Sequence, residues 1–273
     1  MVRPKGSRST YSVSHAEKSD PSLTGDLRAE FPLLQYIKAE EIYKRFDKIK
    51  VVDVRSPFEY ETIHITGAIN LDLSTAGFAD RLKKVFSVEK KPLVFYCNGH
   101  QCRKSYEAGS VARKLGIKNA FVFDEGIFKW AQKFPTKTIL LGETPAPLKF
   151  IPSRKELQKK SISFDVFRRR VLTTKEAVVI DVREPLFRTT IPNLPIVARE
   201  IGMGRLVKLL MSGQLNQRPL FIFDATGHQI LWLEIHLRKF YQGPGYVFLE
   251  GGVDALPISS LRKISSGSEL SHK

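Results

Sequence analysis

The residues of this chain best suited to chemistry lie together at 97–105, in the run CNGHQCRKS. Cys97 closes an apolar stretch, Leu93–Tyr96 (LVFY), of the kind that forms a buried strand, and a helical pattern follows the run. In an open α/β sheet, ligands bind beyond the carboxyl ends of the strands. The N–H groups of such a loop, with the helix N-terminus behind them, converge on an anion. The same field, with Arg103 and Lys104, is expected to lower the Cys97 pKa and favour the thiolate. Gly99 gives the backbone room for a tight cradle. A thiolate in a cationic cup suits attack on an anionic or electrophilic sulfur or phosphorus centre. The plain alternative is a buried structural cysteine, which does not typically open a polar Gly/Arg/Lys loop. Asn98, Gln101 and Ser105 complete the loop, and His100 is placed to shuttle a proton or touch a donor. Cys102 has two open roles: a thiol that resolves an oxidised or sulfur-loaded Cys97, or a small side chain at the helix start.

The elements that must position this loop are short. Residues 51–54 and Ala120–Phe123 read as further strands, and SYEAGSVARKLGI places Ala108, Val111, Ala112 and Leu115 at helical spacing. Strands alternating with helices predict a parallel α/β sheet. The second half repeats the first. VVDVRSPFEY matches VVIDVREPLF, pairing Asp53 with Asp181; LVFYCNGHQ matches LFIFDATGHQ, pairing Cys97 with Asp224; FVFDEGIFKW matches VFLEGGVDAL, pairing Gly126 with Gly252. Three blocks in one order at nearly constant offset predict two copies of one domain. The expected division is a flexible arm over 1–30, a catalytic domain over 31–142, a Pro-rich linker over 143–154, an inactive domain over 155–258 and a flexible tail over 259–273.

Composition narrows the function classes. The chain has 273 residues, 42% hydrophobic and 26% charged, which excludes wholesale disorder and fibrous repeats. No apolar run reaches the ~18 residues of a membrane helix, so no membrane is expected. Two cysteines exclude a disulfide scaffold and a four-Cys zinc site, and fit a reducing, cytoplasmic setting. The Arg/Ser-rich, acid-free first sixteen residues leave a transit peptide, and an organelle matrix, as the alternative. Neither metal-ligand spacing nor a phosphate-binding glycine loop occurs, so no metal and no cofactor are expected. The net charge is +16, and residues 149–170 hold eight Lys/Arg against two Asp/Glu. That field draws small anions or an acidic protein partner. It lacks an aromatic-interleaved basic stripe, so specific nucleic-acid binding is not expected.

The blocks DVRSPFEYETIHITGAINL (53–71), YCNGHQCRKSYEAG (96–109) and FVFDEGIFKW (121–130), taken together, resemble the rhodanese (sulfurtransferase) superfamily. The resemblance spans both halves, roughly residues 35–140 and 155–257. It implies two tandem rhodanese-like domains, each a small parallel sheet flanked by helices. It also implies that Cys97 takes a sulfane sulfur from thiosulfate or a persulfide, and passes it to a thiol or cyanide-like acceptor. Loop amides, Arg103 and Lys104 would position the donor. Asp53 and Arg55 would brace the fold beside the site; His64 has two open roles, lining the entrance or a satisfied loop histidine. Asp224, where the second copy needs its cysteine, implies an inactive copy. One departure matters: Arg103 stands six residues after Cys97, a Cys-x5-Arg spacing similar to that of the cell-cycle phosphatases that share the fold. Phosphatase or arsenate reductase chemistry therefore stays open, as does a non-enzymatic sulfur-carrier or docking role.

Overall fold

Four nearly continuous apolar runs, KVVD, LVFY, VVID and LFIF, form the middle of two parallel sheets. The computed structural model describes residues 27–263. The first half runs α1 (Leu27–Glu30), β1 (Gln35–Tyr36), α2 (Ala39–Lys44), β2 (Lys50–Asp53), α3 (Pro57–Thr62), β3 (Ile63–Ile65), β4 (Ile69–Asn70), α4 (Phe78–Glu89), β5 (Leu93–Tyr96), α5 (Arg103–Lys114), β6 (Ala120–Phe123), α6 (Gly126–Lys133) and β7 (Thr138–Leu140). The second runs α7 (Arg154–Lys160), β8 (Ser161–Ile162), α8 (Phe164–Thr173), β9 (Val178–Asp181), β10 (Thr190–Pro192), β11 (Arg199–Glu200), α9 (Met203–Met211), β12 (Leu220–Phe223), α10 (Ile230–Phe240), β13 (Tyr246–Leu249) and β14 (Leu261–Lys263).

The five-stranded sheets have orders β1-β6-β5-β2-β4 and β8-β13-β12-β9-β11, all parallel. Read from β1 and from β8, the two orders correspond strand for strand. The repeat seen in sequence is thus a repeat of topology: the fold is two tandem α/β units, each with a five-stranded parallel sheet. Strands covered on both faces need apolar residues at every position, which is why the middle runs do not alternate. Successive side chains still point to opposite faces. Val94 and Tyr96 of β5 join one apolar cluster, while Leu93 and Phe95 join another. On β12, Leu220 and Ile222 part from Phe221 and Phe223 in the same way.

The cluster holding Val94 and Tyr96 runs through both halves, from Ile63 and Trp130 to Trp232 and Leu233. Phe128 stacks on Trp232 at 5.4 Å, and Thr62 Oγ1 lies 3.0 Å from His236 Nε2. The Pro-rich segment predicted as a linker carries a buried Ala146, and Arg238 of α10 reaches its Lys149 carbonyl at 3.4 Å. The two copies therefore share a packed interface. Two helix starts are visible in sequence: Ser56-x-x-Glu59 before α3 and Ser153-x-x-Glu156 before α7 are both reciprocal capping boxes.

Two expected flexible ends hold structure at their inner margins. Residues 27–30, placed by sequence in the arm, form α1, because Arg28 and Glu30 find charged partners on the first domain. Residues 261–263, placed in the tail, pair antiparallel with β10. The rest of the arm, with its transit-peptide-like start, and residues 264–273 lie outside the described residues. Among the described residues no helix is long and apolar enough to cross a membrane.

Candidate functional site

The loop 97–105 leaves the carboxyl end of β5, the strand at the centre of the first sheet, and enters α5. Cys97 is 1% exposed, so anything reacting with its sulfur must pass through the loop. The Cys97 carbonyl accepts from the Ile127 amide at 3.0 Å, which ties the loop to the start of α6. Gly126 makes that approach possible. Its φ is +73°, and a Cβ there would lie 2.4 Å from the Asn98 carbonyl carbon and the Gly99 nitrogen. Among the described residues, the amides of Asn98, Gly99, His100 and Gln101 meet no backbone acceptor. Four free donors in one tight turn form a cradle suited to an anion.

The second copy shows what such a cradle holds. Asp224, in the place of Cys97, is fully buried. Its carboxylate accepts from the Gly227 amide at 2.7 Å and the Gln229 amide at 2.8 Å. Burial pushes its pKa up, and these amides pull it back. The side chain thus fills its own loop with a built-in anion. Gly252, at φ +67°, backs this loop as Gly126 backs the first, with a Cβ position 2.5 Å from the Ala225 carbonyl carbon.

Asp53 and Arg55 are both fully buried at the end of β2, beside β5. Arg55 donates to Asp53 through Nε at 2.9 Å and Nη2 at 2.5 Å, and to the Ile63 carbonyl at 2.6 Å. Burial works against its charge, but the Asp53 carboxylate outweighs burial and holds the pKa above its ordinary value. Arg55 Nη1 also reaches Asn98 Oδ1 at 3.3 Å, and Asn98 Nδ2 donates to Glu59 at 3.0 Å. The expected brace is therefore joined directly to the loop. Glu59 thus serves both the capping box of α3 and the loop, and only the first role leaves a local spacing in the sequence.

His100 is mostly exposed and sits 3.5 Å from the buried carboxylate of Asp124. Tyr106 donates to the same carboxylate at 3.1 Å, and Arg28 grips it through two bonds of 2.6 and 2.9 Å. Burial alone would raise the Asp124 pKa; Arg28, Tyr106 and His100 bring it below the ordinary value. Asp124 directly precedes the EG of the FVFDEG block, a signal that pointed to this place without giving its role.

Three further residues of the expected site have partners in the structure. Arg103, expected over the donor, bonds Glu30 at 2.7 Å and lies over the Phe31 ring at 5.4 Å. The cause is α1, whose charged residues carried no signal in a polar arm. His64, expected at the entrance or as a satisfied loop histidine, meets the Tyr60 carbonyl through Nδ1 at 2.7 Å, and its ring stacks on Tyr60 at 4.0 Å. Burial lowers its pKa. Cys102, whose role was open, is disulfide-bonded to Cys97, with Cα atoms 6.2 Å apart. Ser105 Oγ is buried without a hydrogen-bond partner on the first turn of α5, and Lys104 is half-buried beside it. Gln101 is exposed at the loop's outer edge.

Residues 38–133 match the family of rhodanese-like domains. A tRNA uridine(34) hydroxylase of Photorhabdus laumondii is 32% identical over 124 residues, covering 43% of this chain and 31% of the relative. The chain thus spans about a third of the length of that curated relative. Among solved structures, a human single-domain sulfurtransferase is 25% identical, with a TM-score of 0.31, over 36% of this chain and 96% of its own. A thiosulfate sulfurtransferase of Pseudomonas aeruginosa is 16% identical, with a TM-score of 0.35, over 81% of this chain and 41% of its own.

Proposed function

We propose that this chain, in which residues 38–133 form a rhodanese-like domain, is a sulfurtransferase whose first copy carries sulfane sulfur on Cys97. The observation that carries the reading is the buried cysteine at the mouth of a loop with four unpaired amides. With the disulfide reduced, the Cys97 thiolate attacks the outer sulfur of thiosulfate. A Cys97 persulfide forms, the sulfur–sulfur bond of the donor breaks, and sulfite leaves with the electron pair. The loop amides hold the anionic sulfur in the way that the amides of Gly227 and Gln229 hold the Asp224 carboxylate. A nucleophilic acceptor, thiol or cyanide, then takes the outer sulfur. The second copy, with a carboxylate in its own cradle, packs against the first and carries no sulfur.

The test is thiocyanate formation from thiosulfate and cyanide by the reduced protein. Turnover by the wild type or by Cys102→Ser that disappears in Cys97→Ser supports the reading; a wild type and a Cys102→Ser protein that both lack turnover sink it for thiosulfate. Phosphate-ester or arsenate turnover without thiocyanate, also lost in Cys97→Ser, would move the assignment to the Cys-x5-Arg alternative. A second reading, an RNA acceptor, draws support from the tRNA-modifying relative and the +16 charge. Salt-dependent binding of tRNA, weakened by neutralising Arg168–Arg170, would support it, and absence of binding at low salt would remove it.

A further inference from the structure

We propose that Cys102 discharges the Cys97 persulfide internally, so that the protein releases hydrogen sulfide and is reset by a dithiol reductant. The inference rests on the reading of Cys97 as a sulfur carrier. Two cysteines are present in the whole chain, and the structure joins them to each other. Cys97 directly follows β5 and Cys102 directly precedes α5, so the loop itself brings them together. The turn between them is closed by the Cys102 amide donating to the Gly99 carbonyl at 2.9 Å. The Cα separation of 6.2 Å lies within the ordinary range for a disulfide.

An external acceptor has to reach a sulfur on a residue that is 1% exposed. Cys102 is partly exposed and already within bonding reach of Cys97 Sγ. An intramolecular thiol held this way competes at a high effective concentration. In the step, the Cys102 thiolate attacks Cys97 Sγ of the protonated persulfide. The Cys97–Cys102 bond forms, the bond from Cys97 Sγ to the sulfane sulfur breaks, and that sulfur leaves as hydrosulfide with the electron pair and the proton. The sulfane sulfur is reduced to sulfide, and the two protein thiols are oxidised to the disulfide. A small dithiol or a dithiol protein then exchanges with the disulfide, becomes a disulfide itself and restores both cysteines. With thiosulfate as donor, the complete cycle yields sulfite and sulfide at the expense of one dithiol.

The experiment is a single turnover without added thiol. Reduced wild type, Cys102→Ser and Cys102→Ala are each mixed anaerobically with thiosulfate, and released sulfide and intact mass are followed in time. Wild type is expected to release one sulfide per chain and to end as the disulfide. Both variants are expected to hold one added sulfur and to lose it roughly tenfold more slowly or worse. If wild type keeps its sulfur as long as the variants do, the carrier reading stands and internal discharge is overturned. A wild type that keeps the sulfur with its label moved to Cys102 also overturns release. If none of the three proteins takes up sulfur or yields sulfide, the carrier reading itself fails, and this inference with it.

Discussion

Replacing Gly126 by alanine tests the geometry of the loop more sharply than removing any loop side chain. Gly126 has φ +73°, and an alanine Cβ would lie 2.4 Å from Asn98 and Gly99 main-chain atoms, which belong to the cradle. The left-handed conformation costs an L residue about 1–2 kcal/mol. Forcing an extra methyl into packed backbone adds about 1–3 kcal/mol. The expected loss is therefore about 2–5 kcal/mol, roughly 2–4 °C of Tm per kcal/mol in a chain of this size. Two controls separate the contributions. Gly67, at φ +74°, has nothing within 4 Å of its Cβ position, so Gly67→Ala pays the conformational cost alone. Gly252, at φ +67°, meets Ala225 backbone at 2.5 Å, so Gly252→Ala should lose as much stability as Gly126→Ala. The function should divide them. Gly126→Ala shifts the sulfur cradle and should slow sulfur loading by roughly tenfold or more, whereas Gly252→Ala should load at nearly the wild-type rate. Urea unfolding with stopped-flow loading from thiosulfate reads both quantities. Wild-type loading in Gly126→Ala, or its loss in a folded Gly252→Ala, would refute the placement of the site.

Three further outcomes are expected. Arg55→Ala leaves the buried Asp53 carboxylate without its partner and should cost about 3–5 kcal/mol in urea unfolding, while releasing Asn98 from the brace. His236 is buried at the interface against Thr62, Phe58 and Phe240; burial, then the charge of Lys239, lowers its pKa from 6.5 to about 4. The unfolded chain therefore binds a proton that the folded chain refuses, so this contribution is intact above pH 6.5 and is lost as pH falls towards 4. That is about 3 kcal/mol, and His236→Gln should flatten this part of the stability–pH curve. Glu30→Gln removes a carboxylate from Arg103; the thiosulfate concentration for half-maximal loading should fall roughly two- to fivefold, measured by titration at low salt.

The parts legible in sequence were those written in local pattern. The middle strands β2, β5, β9 and β12 showed as apolar runs, and the matched blocks around Asp53, Cys97 and Gly126 revealed the second copy. The position of Cys97 followed from the strand end alone. What escaped depends on partners distant in the chain. Arg103 meets Glu30 across 73 positions, and Thr62 meets His236 across 174. Neither pairing leaves a local trace. Helix α1 has four residues and no buried side chain, so its order comes from ion pairs to a domain that sequence periodicity cannot see. The Cys97–Cys102 bond depends on how tightly the loop turns, and spacing alone left that open.

The central claim is that Cys97 holds the sulfur, and intact mass of the reduced Cys102→Ser protein after thiosulfate tests it most directly, because internal discharge is then blocked. A gain of one sulfur is expected that maps to the peptide containing Cys97, is removed by cyanide, and is absent when Cys97 is also replaced by serine. An unchanged mass, or an adduct that survives the loss of Cys97, would contradict it.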